Sequence, residues 1–101
     1  MELEAKRVVF FSQQDERFFF EWIGRIGCIG NVVGRGDVIY LPLDPDAVLE
    51  EEVWELAALF RRYRIPLVQL QMLEAGRYSR ALRDALREQG AKREASGRQG
   101  T

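Results

Sequence analysis

Residues 27–43, GCIGNVVGRGDVIYLPL, decide how the chain is read. Two apolar runs, Cys28–Val33 and Val38–Leu43, flank Gly34-Arg35-Gly36-Asp37. Glycine reaches positive φ without steric cost, so paired glycines between β-branched runs predict an antiparallel hairpin. With that pair in place, the patterns on either side fall into a β-α-β-β-α-β order followed by one more helix.

Before the hairpin, residues 1–4 read as a frayed end. Val8, Val9, Phe10 and Phe11 form a continuous apolar run, which predicts a strand covered on both faces. Ser12 then fits a helix N-cap, with Asp15 and Glu16 in the first turn facing the positive end of the helix dipole. The helix so begun runs to about Arg25. Its wheel puts Phe19, Trp22, Ile23 and Ile26 on one face and Phe18 and Phe20 on either flank. Three consecutive phenylalanines cannot all enter one core, so this apolar arc is wider than a single buried face requires.

After the hairpin, Asp44-Pro45-Asp46 reads as a turn into a second helix, about Ala47 to Arg64. Leu49, Val53, Leu56, Ala57, Phe60 and Tyr63 recur at helical spacing. Glu50, Glu51, Glu52 and Glu55 lie near its start, with Arg61, Arg62 and Arg64 at its end, complementing the macrodipole. Pro66 stops it. Leu67–Leu73 alternates, with Val68, Leu70 and Met72 one way and Gln69 and Gln71 the other, which predicts a fourth strand. A third helix follows, about Ala75 to Gln89, with Tyr78, Leu82, Ala85 and Leu86 on its apolar stripe. The expected organisation is one α/β (α+β) domain over residues 1–89 and a disordered polar tail over 90–101.

Continuous apolar strands belong in the middle of a sheet, and interrupted or alternating ones at its edges. That assigns Val8–Phe11 and Val38–Leu41 to the centre and matches the ferredoxin-like strand order 4-1-3-2, with both crossover helices on one face. The alternative is a three-layer α/β sandwich. In either case the second face of the sheet needs a cover, from the third helix or from a second copy.

Composition narrows function by exclusion. The chain has 101 residues, a net charge of −1 and no histidine. The missing histidine removes the commonest general acid–base and the commonest neutral metal ligand. The near-neutral balance lacks the basic signature of a nucleic-acid binder. Its 13 arginines against 2 lysines point to coding bias, which weakens any reading of arginine faces as phosphate sites. The lone Cys28 has no internal disulfide partner and reads as inert core in a reducing compartment. No run approaches the roughly 20 apolar residues of a membrane span, and the acidic N-terminus is unlike a signal peptide, so the expected location is cytoplasmic. The glycines at 24, 27 and 30 precede strands and match neither a P-loop nor a dinucleotide fingerprint, so no cofactor and no metal site are expected. Arg35-Gly36-Asp37 is turn chemistry.

What stands above ordinary packing is a tryptophan at the edge of the second helix's stripe with arginine beside it, the composition of many binding hot spots. Trp54 and Arg61, with the surplus Phe18 and Phe20, are therefore the candidate partner-binding residues, and no catalytic residue is assigned. The reading is a small non-catalytic protein-binding module, of regulator, inhibitor or bacterial immunity type, that pairs with itself or with another chain. Two other classes compete. One is an RNA-binding module stacking bases on Phe10 or Phe11 and Tyr40, although RGDVIYLPL lacks the Gly-aromatic-Gly/Ala-Phe pattern of such modules. The other is a small enzyme whose site forms only in a dimer.

Accordingly, binding to single-stranded RNA should be undetectable at physiological salt. A micromolar affinity that falls steeply with salt and disappears in Tyr40→Ala would reverse the ranking.

Overall fold

The computed structural model describes residues 1–74 and 78–87. They form a small mixed α/β domain in which helices pack on one face of a three-stranded antiparallel sheet. The strands are β1 (Glu2–Lys6), β2 (Val33–Arg35) and β3 (Val38–Pro42), in the order β1-β3-β2. The helices are α1 (Gln13–Gly24), α2 (Glu50–Arg62) and the short α3 (Val68–Glu74), followed by a helical stretch at 80–87. A single 3-10 turn, Pro45–Ala47, precedes α2, with Asp44 accepting from the Asp46 amide.

The hairpin forms, with a tighter turn and a shorter first arm than the sequence indicates. Arg35 pairs with Val38, so Gly36-Asp37 is the turn, and Gly36 takes the positive φ of 61° that it requires. Below the turn only an isolated bridge, Ile29 to Leu43, and the Gly30 N–H on the Pro42 carbonyl continue the pairing.

The expected fourth strand and the expected position of the first strand are corrected. The strand paired with β3 is Glu2–Lys6, not Val8–Phe11. ELEAK is poor in β-formers, but it alternates: Leu3 and Ala5 are fully buried while Glu2 and Lys6 are exposed. Arg7 ends the strand by taking φ 54°, with its N–H on the Asp37 carbonyl and its guanidinium 3.2 Å from the Asp37 carboxylate. Val8–Phe11 crosses the end of the core as irregular chain. Phe10 packs inward against Phe19, at 5.3 Å between ring centroids, and against Tyr63 at 5.9 Å, while Val9 and Phe11 remain exposed.

Leu67–Leu73 is helical, not extended. Over seven residues its pattern satisfies two periods, and the period of three prevails: Leu67, Leu70 and Leu73 are buried, whereas Val68 and Met72 are exposed. The 4-1-3-2 order thus reduces to its 1-3-2 part, and a helix stands where the fourth strand was expected. That helix still pairs with the first strand in its own way. The Gln69 side-chain amide donates to the Glu4 carbonyl at 2.8 Å and accepts the Glu4 N–H at 2.6 Å. A side-chain amide here does the work of a neighbouring peptide group at the sheet edge.

Both longer helices follow their local chemistry. Ser12 caps α1 through the Asp15 N–H, and the Asp15 carboxylate accepts the Phe11 N–H. In α2, Glu52 reaches back to the Leu49 N–H at 2.9 Å. Leu49, expected in the core stripe, is exposed at this cap, and its neighbour Val48 is buried. The rest of the stripe, Val53, Leu56, Ala57, Phe60 and Tyr63, is buried as expected. Arg64 ends α2 at φ 61°, which lets the Ile65 N–H reach the Phe60 carbonyl.

These elements share one core, in which Leu3, Leu41, Phe19, Leu56, Phe60, Leu70 and Leu82 are all fully buried. On the opposite face of the sheet no described residue is buried, so the described residues form two layers rather than three. Residues 80–87 fall within the expected third helix and bury Leu82 and Leu86, while the expected tail at 90–101 lies outside the described residues.

Replacing Gln69 with Ala leaves a half-buried peptide N–H and C=O of Glu4 without partners. Urea unfolding should show a loss of about 1–3 kcal/mol, with Gln71→Ala, on the same short helix, within about 0.5 kcal/mol of wild type.

Candidate functional site

A cleft of about 520 Å³ opens between α1 and α2. It is lined by Phe18, Glu21, Trp22, Arg25, Ile26 and Glu55. The two helices run antiparallel, because Trp22 near the end of α1 meets Glu55 in the first half of α2, while Tyr63 at the end of α2 meets Asp15 at the start of α1. The Trp22 indole N–H donates to Glu55 at 3.0 Å, which fixes the ring as one wall of the cleft. Phe18 stands one turn earlier on the rim and is 55% exposed.

The four candidate residues do not form one surface. Phe18 belongs to the cleft. Phe20 is about 200° away around α1 and packs against Phe19 and Phe10, at 5.2 and 6.3 Å between ring centroids, with 39% of its surface exposed. Trp54 follows one step before Glu55 and so is turned about 100° from it. Its N–H donates to Glu50 at 3.3 Å. Arg61, exposed, lies two turns further on along the same side of α2. The surplus aromatics of α1 are therefore used twice: Phe20 closes an aromatic cluster, and Phe18 faces outward.

Trp22, Ile26 and Glu55 are cleft residues that the sequence reading left out of its candidate set. Phe18, Trp22 and Ile26 follow at i, i+4 and i+8, a spacing visible in the sequence. The wheel assigns Trp22 to the core face; its ring packs partly against the core, and its N–H bonds to Glu55, 33 residues away, at the cleft.

A second network ties α2 to the chain beyond α3. Glu50 accepts the Ser79 hydroxyl at 2.6 Å and the Ser79 N–H at 2.9 Å, and Ser79 in turn caps the 80–87 helix through the Leu82 N–H. These donors, the Ser79 hydroxyl foremost, hold the Glu50 carboxyl below its ordinary value. Tyr78 donates to the Val48 carbonyl beside it.

Other chemistry finds little footing. Burial, and then the Glu52 carboxylate, push the Cys28 thiol up to about 11, the reverse of an activated nucleophile. Among the described residues no group of three or more His, Cys, Asp or Glu could hold a metal ion. No described helix is long and apolar enough to cross a membrane. On the sheet face away from the described helices Tyr40 carries the Arg35 guanidinium 5.4 Å from its ring centroid. Of the two phenylalanines that the competing RNA-binding reading could set beside Tyr40, Phe10 packs inward against Phe19 on the helical side of the sheet, and Phe11 is exposed.

No family model, curated protein or solved structure matches this chain.

The Glu50 network has a signed pH response. Because its pKa is lowered by contacts present only in the folded chain, its stabilisation is complete above the ordinary carboxylate value and is lost as pH falls through the lower, folded value. The Ser79 amide resonance and Trp54 emission should shift together below about pH 4. Glu50→Gln should remove that step, and a Ser79 amide that titrates in Glu50→Gln as it does in wild type would contradict the assignment.

Proposed function

We propose that this chain is a non-catalytic protein-binding module of regulator, inhibitor or immunity type. It would work in a bacterial cytoplasm and act by pairing with a second copy or with another protein. The observation that supports this most is Phe18, more than half exposed on the rim of an open cleft whose other aromatic wall, Trp22, is held rigid by Glu55. Rigid aromatic side chains lose little conformational freedom on binding, and interfaces concentrate their energy in such residues. An exposed phenylalanine also forgoes about 1.5–3 kcal/mol of burial, a sizeable fraction of the stability of a domain this small. Trp54 with Arg61 offers a second, smaller anchor on the other side of α2.

Two differently tagged copies, co-expressed in cells of the source organism and purified through one tag, test this reading. It predicts that wild type retains a protein in stoichiometric amount, either the other tagged copy or another chain, and that Phe18→Ser loses it. Wild type that retains neither would overturn the reading.

A further inference from the structure

We propose that the cleft is a self-association surface in which α1 pairs antiparallel with α1 of a second copy, across a twofold axis at Phe19–Phe20. The inference rests on the protein-binding reading above and names the partner. Its basis is the symmetry of the residues on the outer side of α1. Phe18 and Trp22 are four residues apart on one face, and Arg17 and Glu21 are four apart on the adjoining exposed flank, Glu21 at the outer edge of the cleft. The midpoints of these pairs, residues 20 and 19, differ by one residue, about 1.5 Å of helix rise, which the long Arg17 and Glu21 side chains span, so a single axis between them brings both pairs into reach.

About that axis Phe18 of each copy meets Trp22 of the other, and Arg17 of each meets Glu21 of the other. Arg25 of each copy falls opposite Asp15 of the other at the ends of the contact. Residues on one flank of an antiparallel helix pair meet the same flank of the second helix, which is what the Arg17–Glu21 pairing needs. Among the described residues neither Arg17 nor Glu21 is held in an ion pair, although their spacing would allow one.

The neighbouring helix repeats the pattern. Trp22 lies level with Glu55 and Asp15 with Tyr63, so the axis passes α2 near Ala58. Glu55 stands on one side of that exposed small residue and Arg62 on the other. Across the axis Arg62 of each copy thus faces Glu55 of the other, as Arg17 faces Glu21 and Asp15 faces Arg25. The contact is isologous and closes at two copies. The antiparallel arrangement also opposes the two α1 dipoles favourably.

Sedimentation of the purified chain at tens of micromolar tests the proposal, with Glu21→Arg, Arg17→Glu and the R17E/E21R double variant alongside. Wild type is expected at twice the 11.7 kDa chain mass. Each single reversal opposes like charges at two symmetric places and should weaken the dimer about tenfold or more, and the double variant should restore it. Both sites are exposed and the double variant places Glu before Arg at i, i+4, the better order within a helix, so far-UV circular dichroism should be unchanged. A dimer indifferent to the single reversals, or a double variant that stays monomeric, would overturn the interface. A monomeric wild type would also overturn it, while the protein-binding reading would survive if co-purification still yields a stoichiometric partner of another kind.

Discussion

The structure depends on how one sheet edge is closed. β1 is an edge strand, and its residues 2, 4 and 6 turn their peptide groups away from β3. At Glu4 both groups are taken by the Gln69 side chain. That double bond does more than satisfy two polar atoms. It anchors α3 beside β1, with Leu67, Leu70 and Leu73 in the same buried core as Ile65 and Phe60. A further strand could have closed the same edge, but would have offered it a new edge in turn. The helix ends the sheet.

The parts of this fold legible in the sequence are those set by neighbouring residues. Ser12 and Asp15 mark the start of α1, the Val53-to-Tyr63 stripe marks α2, and Gly36 marks the turn. The parts that were not legible are set by distant partners. Nothing local distinguishes Glu2–Lys6 as a strand, since Glu, Ala and Lys are weak strand formers. It is one because Leu3 and Ala5 find the core and Arg7 finds Asp37. Conversely, Val8–Phe11 has every local mark of a strand, yet it lies beyond the Arg7 turn, where Phe10 meets Phe19 and Tyr63. Residues 67–73 fit both periods, and Gln69 and the three leucines decide between them.

The candidate site divides in the same way. Excess aromatic surface on α1 was readable from three adjacent phenylalanines, because no single helix face can bury them all. Which of them stays outside was not, because it depends on Phe10 reaching Phe20 and on Glu55 reaching Trp22. The result is a helix with Phe20 packed on Phe10 and Phe19 on one side, and the exposed Phe18 beside the half-buried, Glu55-bonded Trp22 on the other.

The central claim is the pairing of Glu2–Lys6 with Val38–Pro42, closed on the outside by Gln69. Two-dimensional nuclear Overhauser spectroscopy of the labelled protein tests it directly. The account predicts a cross-strand Hα–Hα contact between Glu4 and Tyr40, together with contacts from the Gln69 side-chain amide to the Glu4 backbone. Cross-strand contacts from Val8–Phe11 to Val38–Leu41 in their place would contradict it.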